Sequence, residues 1–169
     1  MPMTAMNAKP EGPTVTASSP AGPAIDIQYA CPRPGLPDRR QIRKWVRATL
    51  AGTRSAVELT VRIVDATEGE ELNRRWRRRA GPTNVLSFPA ARIGPIAPEP
   101  LGDIAICAPV VQREAREQGK KPEAHWAHMV VHGTLHLIGF DHVRAVDTRT
   151  MESFEAQVLE RLGFPNPYA

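Results

Sequence analysis

Apolar and polar residues alternate along two segments in the first half of the chain, residues 25–29 and residues 57–63. Alternation with a period of two predicts strands that bury one face. Two shorter apolar runs, residues 84–88 and 101–108, predict two further strands. The pattern therefore predicts four short strands, although it does not give their order in a sheet.

Apolar residues at three- and four-residue spacing predict about five helices, which begin near residues 38, 67, 109, 122 and 147. Asp38 can cap the first helix, and Thr67 with Glu70 has the spacing of a capping box that opens the second. The last helix carries one apolar face and ends before a glycine; that face is Met151, Phe154, Val158 and Leu162. Because strands and helices alternate irregularly, we predict a single compact α+β domain: a small four-stranded mixed sheet packed with about five helices.

The first 23 residues differ in composition from the rest of the chain. They consist mainly of Ala, Pro, Thr, Ser and Gly, which bury too little apolar surface to offset the entropy of ordering. We therefore predict a disordered leader over residues 1–23 and one domain over residues 24–169. The leader lacks the basic start and apolar run of a secretory signal, and no stretch approaches the length of a membrane span.

Charge is unevenly distributed between the two halves of this domain. Residues 24–80 carry 13 Lys/Arg against 7 Asp/Glu, whereas residues 81–169 carry 8 against 10. Arg39, Arg43 and Arg47 recur at four-residue spacing and predict a positive stripe on the first helix. This half is a candidate surface for nucleic acid, with an unliganded, solvated basic face as the alternative.

The two cysteines, Cys31 and Cys107, are far apart in sequence and form no CxxC pair. They therefore predict neither a disulfide framework nor a thiolate zinc site, and a reducing, cytoplasmic compartment fits them.

All five histidines lie between residues 125 and 142, and three of them have the spacing of a metal site. His132 and His136 are four residues apart, which places both imidazoles on one side of a helix. Gly139 can end that helix and turn the chain so that His142 returns to the same point. Three imidazoles leave a fourth position open, which is typical of catalytic zinc, although nickel, copper and iron also bind imidazole. His128 lies one turn earlier and could orient the ligands, or could be a buried helix histidine without such a role.

The same histidine spacing occurs in metzincin peptidases, whose motif places a general-base glutamate directly after the first histidine. Here that position is Gly133. Without the carboxylate, no adjacent group can accept a proton during attack on a peptide, so the motif argues against peptidase chemistry.

Several separate segments together resemble the YbeY endoribonuclease (rRNA maturation factor) family. They are Leu72-Asn73, the run PTNVLSFP at 82–89, LGDIAIC at 101–107, HGTLHLIGFDH at 132–142, and the closing residues 162–164 and 167–168. The resemblance extends from about Ile25 to Tyr168. It implies a compact α+β fold with one metal site in a groove, and His132, His136 and His142 as the ligands of one zinc ion per chain.

The resemblance also implies a functional arginine. The family pattern aromatic-Arg-x-x-x-x-Pro-Thr falls on Trp76-Arg77 followed by Pro82-Thr83. Arg77 thus resembles the residue expected to face the cleft and hold a phosphate. Where the family commonly has Gly-Lys-Asp, this chain has Arg78-Arg79-Ala80, so the helix end is expected to differ locally.

By the same resemblance, the substrate is single-stranded RNA, particularly the 3′ end of small-subunit ribosomal RNA, and the small ribosomal subunit is the partner. No membrane or DNA is expected. Zinc would activate water for phosphodiester hydrolysis while Arg77 holds the phosphate; attack by a 2′-hydroxyl instead of water is also compatible with these residues. The main alternative is a zinc-stabilised ribosome assembly factor that binds rRNA without cutting it, and a metzincin-like peptidase is the third possibility.

Overall fold

A computed structural model of the chain describes residues 22–52, 56–92, 94–140 and 144–169. The predicted leader therefore lies almost entirely outside the described residues. The elements follow one another as β1 (Ala24–Ala30), α1 (Arg39–Leu50), β2 (Val57–Val64), α2 (Ala66–Arg77), β3 (Val85–Pro89), β4 (Glu99–Cys107), α3 (Ala108–Glu117), α4 (Pro122–Leu137) and α5 (Ala145–Arg161). These four strands and five helices confirm the predicted α+β class.

The strands form one mixed sheet in the order β1-β2-β4-β3. β1 and β4 both run parallel to the central strand β2, whereas the edge strand β3 is antiparallel to β4. The antiparallel pairing brings the PTNVLSFP segment back along β4. The helix α4 packs against β3, whereas α2 packs against the neighbouring strand β4.

Helix α4 lies at the centre of the molecule and packs against α1, α3, α5 and the strands β3 and β4. It is apolar nearly all round, since it is surrounded on most sides. Its largest core side chain is Trp126, which is 1% exposed. Position 133 has no side chain, and a Cβ added there would lie 2.8 Å from Ile104 Cγ2 and 3.2 Å from Val85 Cγ2. Glycine therefore allows α4 to approach the sheet closely.

The starts of the first two helices follow the capping rules, but one cap differs from the prediction. Asp38 caps α1 in a reciprocal capping box with Gln41, as the sequence suggested. The N-cap of α2 is Asp65, whose side chain accepts a hydrogen bond from the Glu68 backbone amide, and not Thr67. The predicted Thr67–Glu70 box is wrong because β2 ends at Val64, so that the helix begins directly after the strand.

The buried face of α5 also differs from the prediction in one position. Met151 and Val158 are buried as expected, but Phe154 is 42% exposed and contacts the Phe140 ring instead of the core. Glu155 takes the core position and is 1% exposed. Among the helices that the structure describes, none has the length and apolar character needed to cross a bilayer.

Candidate metal and phosphate site

A cavity of about 320 Å³ brings two of the predicted histidines together with the predicted arginine. His132 and His136 from α4 line it together with Arg77 at the end of α2. Ser87 of β3 also lines it and donates a hydrogen bond to the Gly133 carbonyl oxygen, 3.0 Å away. This histidine cavity thus joins residues from two helices on opposite faces of the sheet around its β3 edge.

The two histidines point the same ring nitrogen at one another. His132 Nε2 and His136 Nε2 are 3.1 Å apart. Two nitrogens bound to one tetrahedral zinc at ~2.0–2.1 Å would be separated by about 3.3 Å. The spacing of the pair therefore matches that of two neighbouring zinc ligands.

The opposite ring nitrogens of these histidines face acceptors. His136 Nδ1 lies 2.9 Å from the Phe140 carbonyl oxygen, which can only accept, so this nitrogen carries the proton. Gly139, with φ of 103°, makes the turn that returns Phe140 to this position. His132 Nδ1 donates to the carboxylate of Glu155. In the neutral rings both Nε2 atoms then present lone pairs to the same point, an arrangement that a cation stabilises.

Glu155 is the centre of a buried hydrogen-bond network behind His132. Its carboxylate accepts from His132 Nδ1 and from the Tyr168 hydroxyl, and His128 Nε2 lies 3.4 Å away. Burial alone would raise the pKa of Glu155, but hydrogen bonds from His128, His132 and Tyr168 outweigh it and lower the pKa to about 2. Glu155 is therefore ionised at neutral pH and holds the His132 ring in one orientation.

The pKa of Tyr168 shifts in the opposite direction to that of Glu155. Burial, followed by its hydrogen bond to Glu155 and the charge of that group, raises the pKa of Tyr168 above its ordinary value. The tyrosine is therefore a neutral donor to Glu155.

His128, His132 and Glu155 also form a group that could bind a metal, with one donor atom from each lying within 4.8 Å of the others. In this group, however, His132 Nδ1 already donates to Glu155. A metal bound through that nitrogen would replace the hydrogen bond. The facing Nε2 atoms of His132 and His136 offer a metal position that leaves the network intact.

His142, the third predicted ligand, lies outside the described residues. The helix that carries the first two ligands ends at Leu137, and the turn at Gly139 follows the prediction.

The end of α2 places Arg77 in the histidine cavity. The buried Asn73 donates a hydrogen bond of 2.8 Å from Nδ2 to the Gly81 carbonyl oxygen and so holds the segment that follows the helix. Arg78 takes the left-handed conformation, with φ of 55°, and its amide bonds to the Arg74 carbonyl oxygen. This cap ends the helix directly after Arg77, although the acidic residue common at position 80 is absent.

Glu155 and Tyr168 were not identified from the sequence. Glu155 could have been found, because it lies four residues after Met151 and three before Val158 on the buried face of α5. A carboxylate at such a position needs a partner. Tyr168 lies in the irregular tail, where no periodicity indicates its contact.

His125 and the arginine stripe of α1 both lie away from the histidine cavity. His125 is buried and lies 2.8 Å from Glu114, which also accepts from Asn84, so this histidine belongs to the contact between α3 and α4. In the α1 stripe, Arg39 donates to the Ile27 carbonyl oxygen and lies over the Tyr29 ring. None of the stripe's three arginines lines the histidine cavity.

Comparison with known proteins gives a consistent result. Residues 36–163 match the family model described as Endoribonuclease YbeY. The chain is 48% identical over 146 residues to Endoribonuclease YbeY from Nitrosococcus oceani, covering 85% of this chain and 95% of that one. It is 50% identical over 146 residues to the protein of the same name from Pseudomonas syringae pv. tomato, covering 86% and 87%.

A solved structure shares the fold. The solution structure of TM1509 from Thermotoga maritima is similar to this chain with a TM-score of 0.54 and 23% identity. The similarity covers 82% of this chain and 91% of that one.

Proposed function

Because the chain belongs to the endoribonuclease YbeY family, we propose that it is a metal-dependent endoribonuclease that acts in ribosomal RNA maturation. The observation that carries this proposal is the meeting of His132, His136 and Arg77 in one cavity. A facing imidazole pair suits a cation and an arginine suits a phosphate, and metal-assisted hydrolysis of a phosphodiester can use both.

We further propose that the metal is zinc, one ion per chain, held by His132, His136 and His142. Imidazole nitrogen is a preferred zinc ligand, and the separation of the two described Nε2 atoms supports the assignment. When bound, zinc supplies a Lewis acid and a means of generating a nucleophile at neutral pH. Glu155 keeps the proton of His132 on Nδ1, which leaves Nε2 available for the metal.

Arg77 is the proposed phosphate-binding and catalytic residue. Its guanidinium can donate two parallel hydrogen bonds to non-bridging oxygens and stabilise the charge that grows on them in the transition state. Its presence in the same cavity as the two histidines supports a phosphate bound between Arg77 and the metal. Water and a 2′-hydroxyl remain the two candidate nucleophiles.

The substrate we propose is single-stranded RNA, in particular the 3′ end of small-subunit ribosomal RNA in the cytoplasm, with the small ribosomal subunit as partner. The basic half of the chain, residues 24–80, supports an RNA substrate because it carries Arg77 and the surrounding arginines.

The other two functions are less well supported. A side chain at position 133, where a metzincin-like peptidase carries its general-base glutamate, would overlap Ile104 and Val85 in the sheet. A non-catalytic assembly factor is not favoured either, since the named relatives are endoribonucleases.

The test is cleavage of an end-labelled single-stranded RNA by zinc-loaded protein, with His136→Ala prepared in parallel. We expect the wild type to cut and His136→Ala to lose at least about 10³-fold in rate, since metal catalysis contributes several kcal/mol. Equal cutting by both preparations would reveal a contaminating nuclease. Binding of RNA without cutting by the zinc-loaded wild type would instead support the assembly factor.

A further inference from the structure

A second, larger concavity lies on the face of the sheet that α4 does not cover. This sheet groove has a volume of about 910 Å³. Its floor consists of two cross-strand rows, Phe88–Asp103–Thr60 and Leu86–Ala105–Arg62–Gln28, and its wall is helix α2 with Leu72 and Trp76. Helix α2 contacts the sheet mainly at β4.

The sheet groove adjoins the histidine cavity. Arg77, Ser87 and Pro89 line both. A phosphate held by Arg77 beside His132 and His136 would therefore lie at the mouth of the groove. The nucleotide attached to that phosphate can extend into the groove without leaving the surface of the protein.

Trp76 presents an aromatic surface at this position. It is 59% exposed, whereas the other two tryptophans, Trp45 and Trp126, are 2% and 1% exposed. Its ring meets Phe88 at 5.8 Å between centroids, and the Arg75 guanidinium lies 5.3 Å from its centroid. Exposed tryptophan beside a basic side chain suits base stacking, which is tolerant of sequence.

The charges on the floor suit a base better than a phosphate. Asp103 is exposed there, and within the described part of the chain its side chain makes no hydrogen bond or ion pair. The guanidinium of Arg62 is already paired with Glu68 at 2.7 Å and bonded to Gln28 at 3.0 Å. An anion would be repelled by Asp103, whereas the exocyclic amino group of a base can donate to it.

We propose that the sheet groove is a nucleobase subsite, in which the base next to the phosphate at Arg77 stacks on Trp76 and donates from an exocyclic amino group to Asp103. The inference rests on the proposed function, because it takes single-stranded RNA as the ligand. It adds to that function a site at which the enzyme distinguishes bases that carry an exocyclic amino group from uracil, which carries none.

Binding is the measurement that tests stacking, because it does not require cleavage. Fluorescence anisotropy gives Kd for a labelled single-stranded oligoribonucleotide and for a fully abasic strand of the same length, with chelator present. We expect Trp76→Ala to weaken binding of the intact strand by about 5- to 100-fold, the range for loss of one stacked base. The abasic strand should bind wild type and Trp76→Ala equally, and Trp76→Phe should retain most of the affinity for the intact strand.

A second comparison tests Asp103. The wild type should bind oligo(C) more tightly than oligo(U), by a few-fold to about tenfold for one charged hydrogen bond at an exposed site. Asp103→Asn should reduce or reverse that preference, because an amide can also donate to the uracil carbonyl. Glu70→Gln, on the exposed side of α2, is the control and should leave the preference unchanged.

The subsite is overturned if Trp76→Ala weakens intact and abasic strands by the same factor, or weakens neither. If Asp103→Asn keeps the wild-type preference for oligo(C) over oligo(U), the proposed contact between the base and Asp103 is wrong. These outcomes are separate from the failure of the proposed function. If the wild type does not cut RNA but its RNA affinity depends on Trp76 as expected, the subsite stands and the proposed nuclease activity is wrong.

Discussion

Helices α4 and α2 both contribute to the histidine cavity, but they hold their functional side chains in different ways. On α4 the ring of His132 is fixed by Glu155, and that of His136 by the Phe140 carbonyl oxygen. On α2, Arg77 and Trp76 are exposed; Trp76 contacts Phe88 and Arg75 at its ring, and Asn73 holds the segment that follows the helix. The difference indicates that the metal side is preorganised, whereas the RNA side keeps the freedom to adapt to a flexible substrate.

Replacement of Arg77 should produce the largest effect on the α2 side. Arg77→Ala is expected to lower kcat for RNA cleavage by about 10²–10³-fold, the usual loss for one transition-state donor, without changing zinc content. Arg77→Lys should recover only part of the rate, because a single ammonium cannot make the paired contact. Arg74→Ala on the same helix, which does not line the cavity, is the control. If Arg77→Ala also lost zinc, metal binding would depend on α2, which would contradict the separation of the metal side on α4 from the RNA side on α2.

Replacement of Glu155 tests preorganisation on the α4 side. Glu155→Gln keeps the shape but removes the charge that fixes the proton of His132, so zinc affinity should fall by about 10–100-fold. Chelator competition measures the affinity, and urea unfolding of the metal-free protein measures any change in the fold. Glu160→Gln, an exposed neighbour on α5, should bind zinc as the wild type does. If Glu155→Gln binds zinc as tightly as the wild type, Glu155 contributes to packing and does not orient His132 for the metal.

The close approach of α4 to the sheet can be tested at Gly133. Gly133→Ala should lower the free energy of unfolding by about 1–3 kcal/mol, since the new methyl overlaps two branched side chains. Gly69→Ala in α2 is the matched change, because its methyl meets mainly the Cys107 sulfur, at 2.9 Å. Urea denaturation compares the two. A greater loss for Gly69→Ala would indicate that α2 is the more tightly packed helix.

The smallest expected effect concerns pH and the buried His125. Burial lowers the pKa of His125 below its ordinary 6.5, although Glu114 partly opposes the shift. Well above pH 6.5 the ring is neutral in both folded and unfolded chains and adds no pH dependence. As pH falls below 6.5 the unfolded chain takes up a proton that the folded chain resists, so stability should decrease, by at most about 1.4 kcal/mol per pH unit.

Metal-free protein is required for this measurement, since protons also compete with zinc for its ligands. The difference in urea stability between wild type and His125→Gln isolates the contribution of His125. That difference should change between pH 6.5 and pH 5 and stay constant above pH 7. A difference that is constant throughout would contradict the assigned pKa shift.

Much of the molecule could be predicted from local patterns. Alternation gave the positions of β1 and β2, Asp38 gave the start of α1, and four-residue spacing placed His132 and His136 on one side of a helix. These features depend on residues close in sequence, whose geometry is set by the period of a strand or helix. The capping of α2 was misplaced by two residues, because a strand and a helix joined without a loop leave Asp65 as the cap.

The sequence by itself determined the α+β class, the histidine pair and the family resemblance that singled out Arg77. Only the tertiary structure decided that Glu155 and Tyr168 stand behind His132, and that Arg77 joins the histidine cavity to a groove walled by Trp76. Glu155 follows His132 by 23 residues, and Arg77 precedes it by 55. Contacts of that separation depend on how the sheet order β1-β2-β4-β3 places α4 against β3, α2 against β4 and α5 against α4, which no local period encodes.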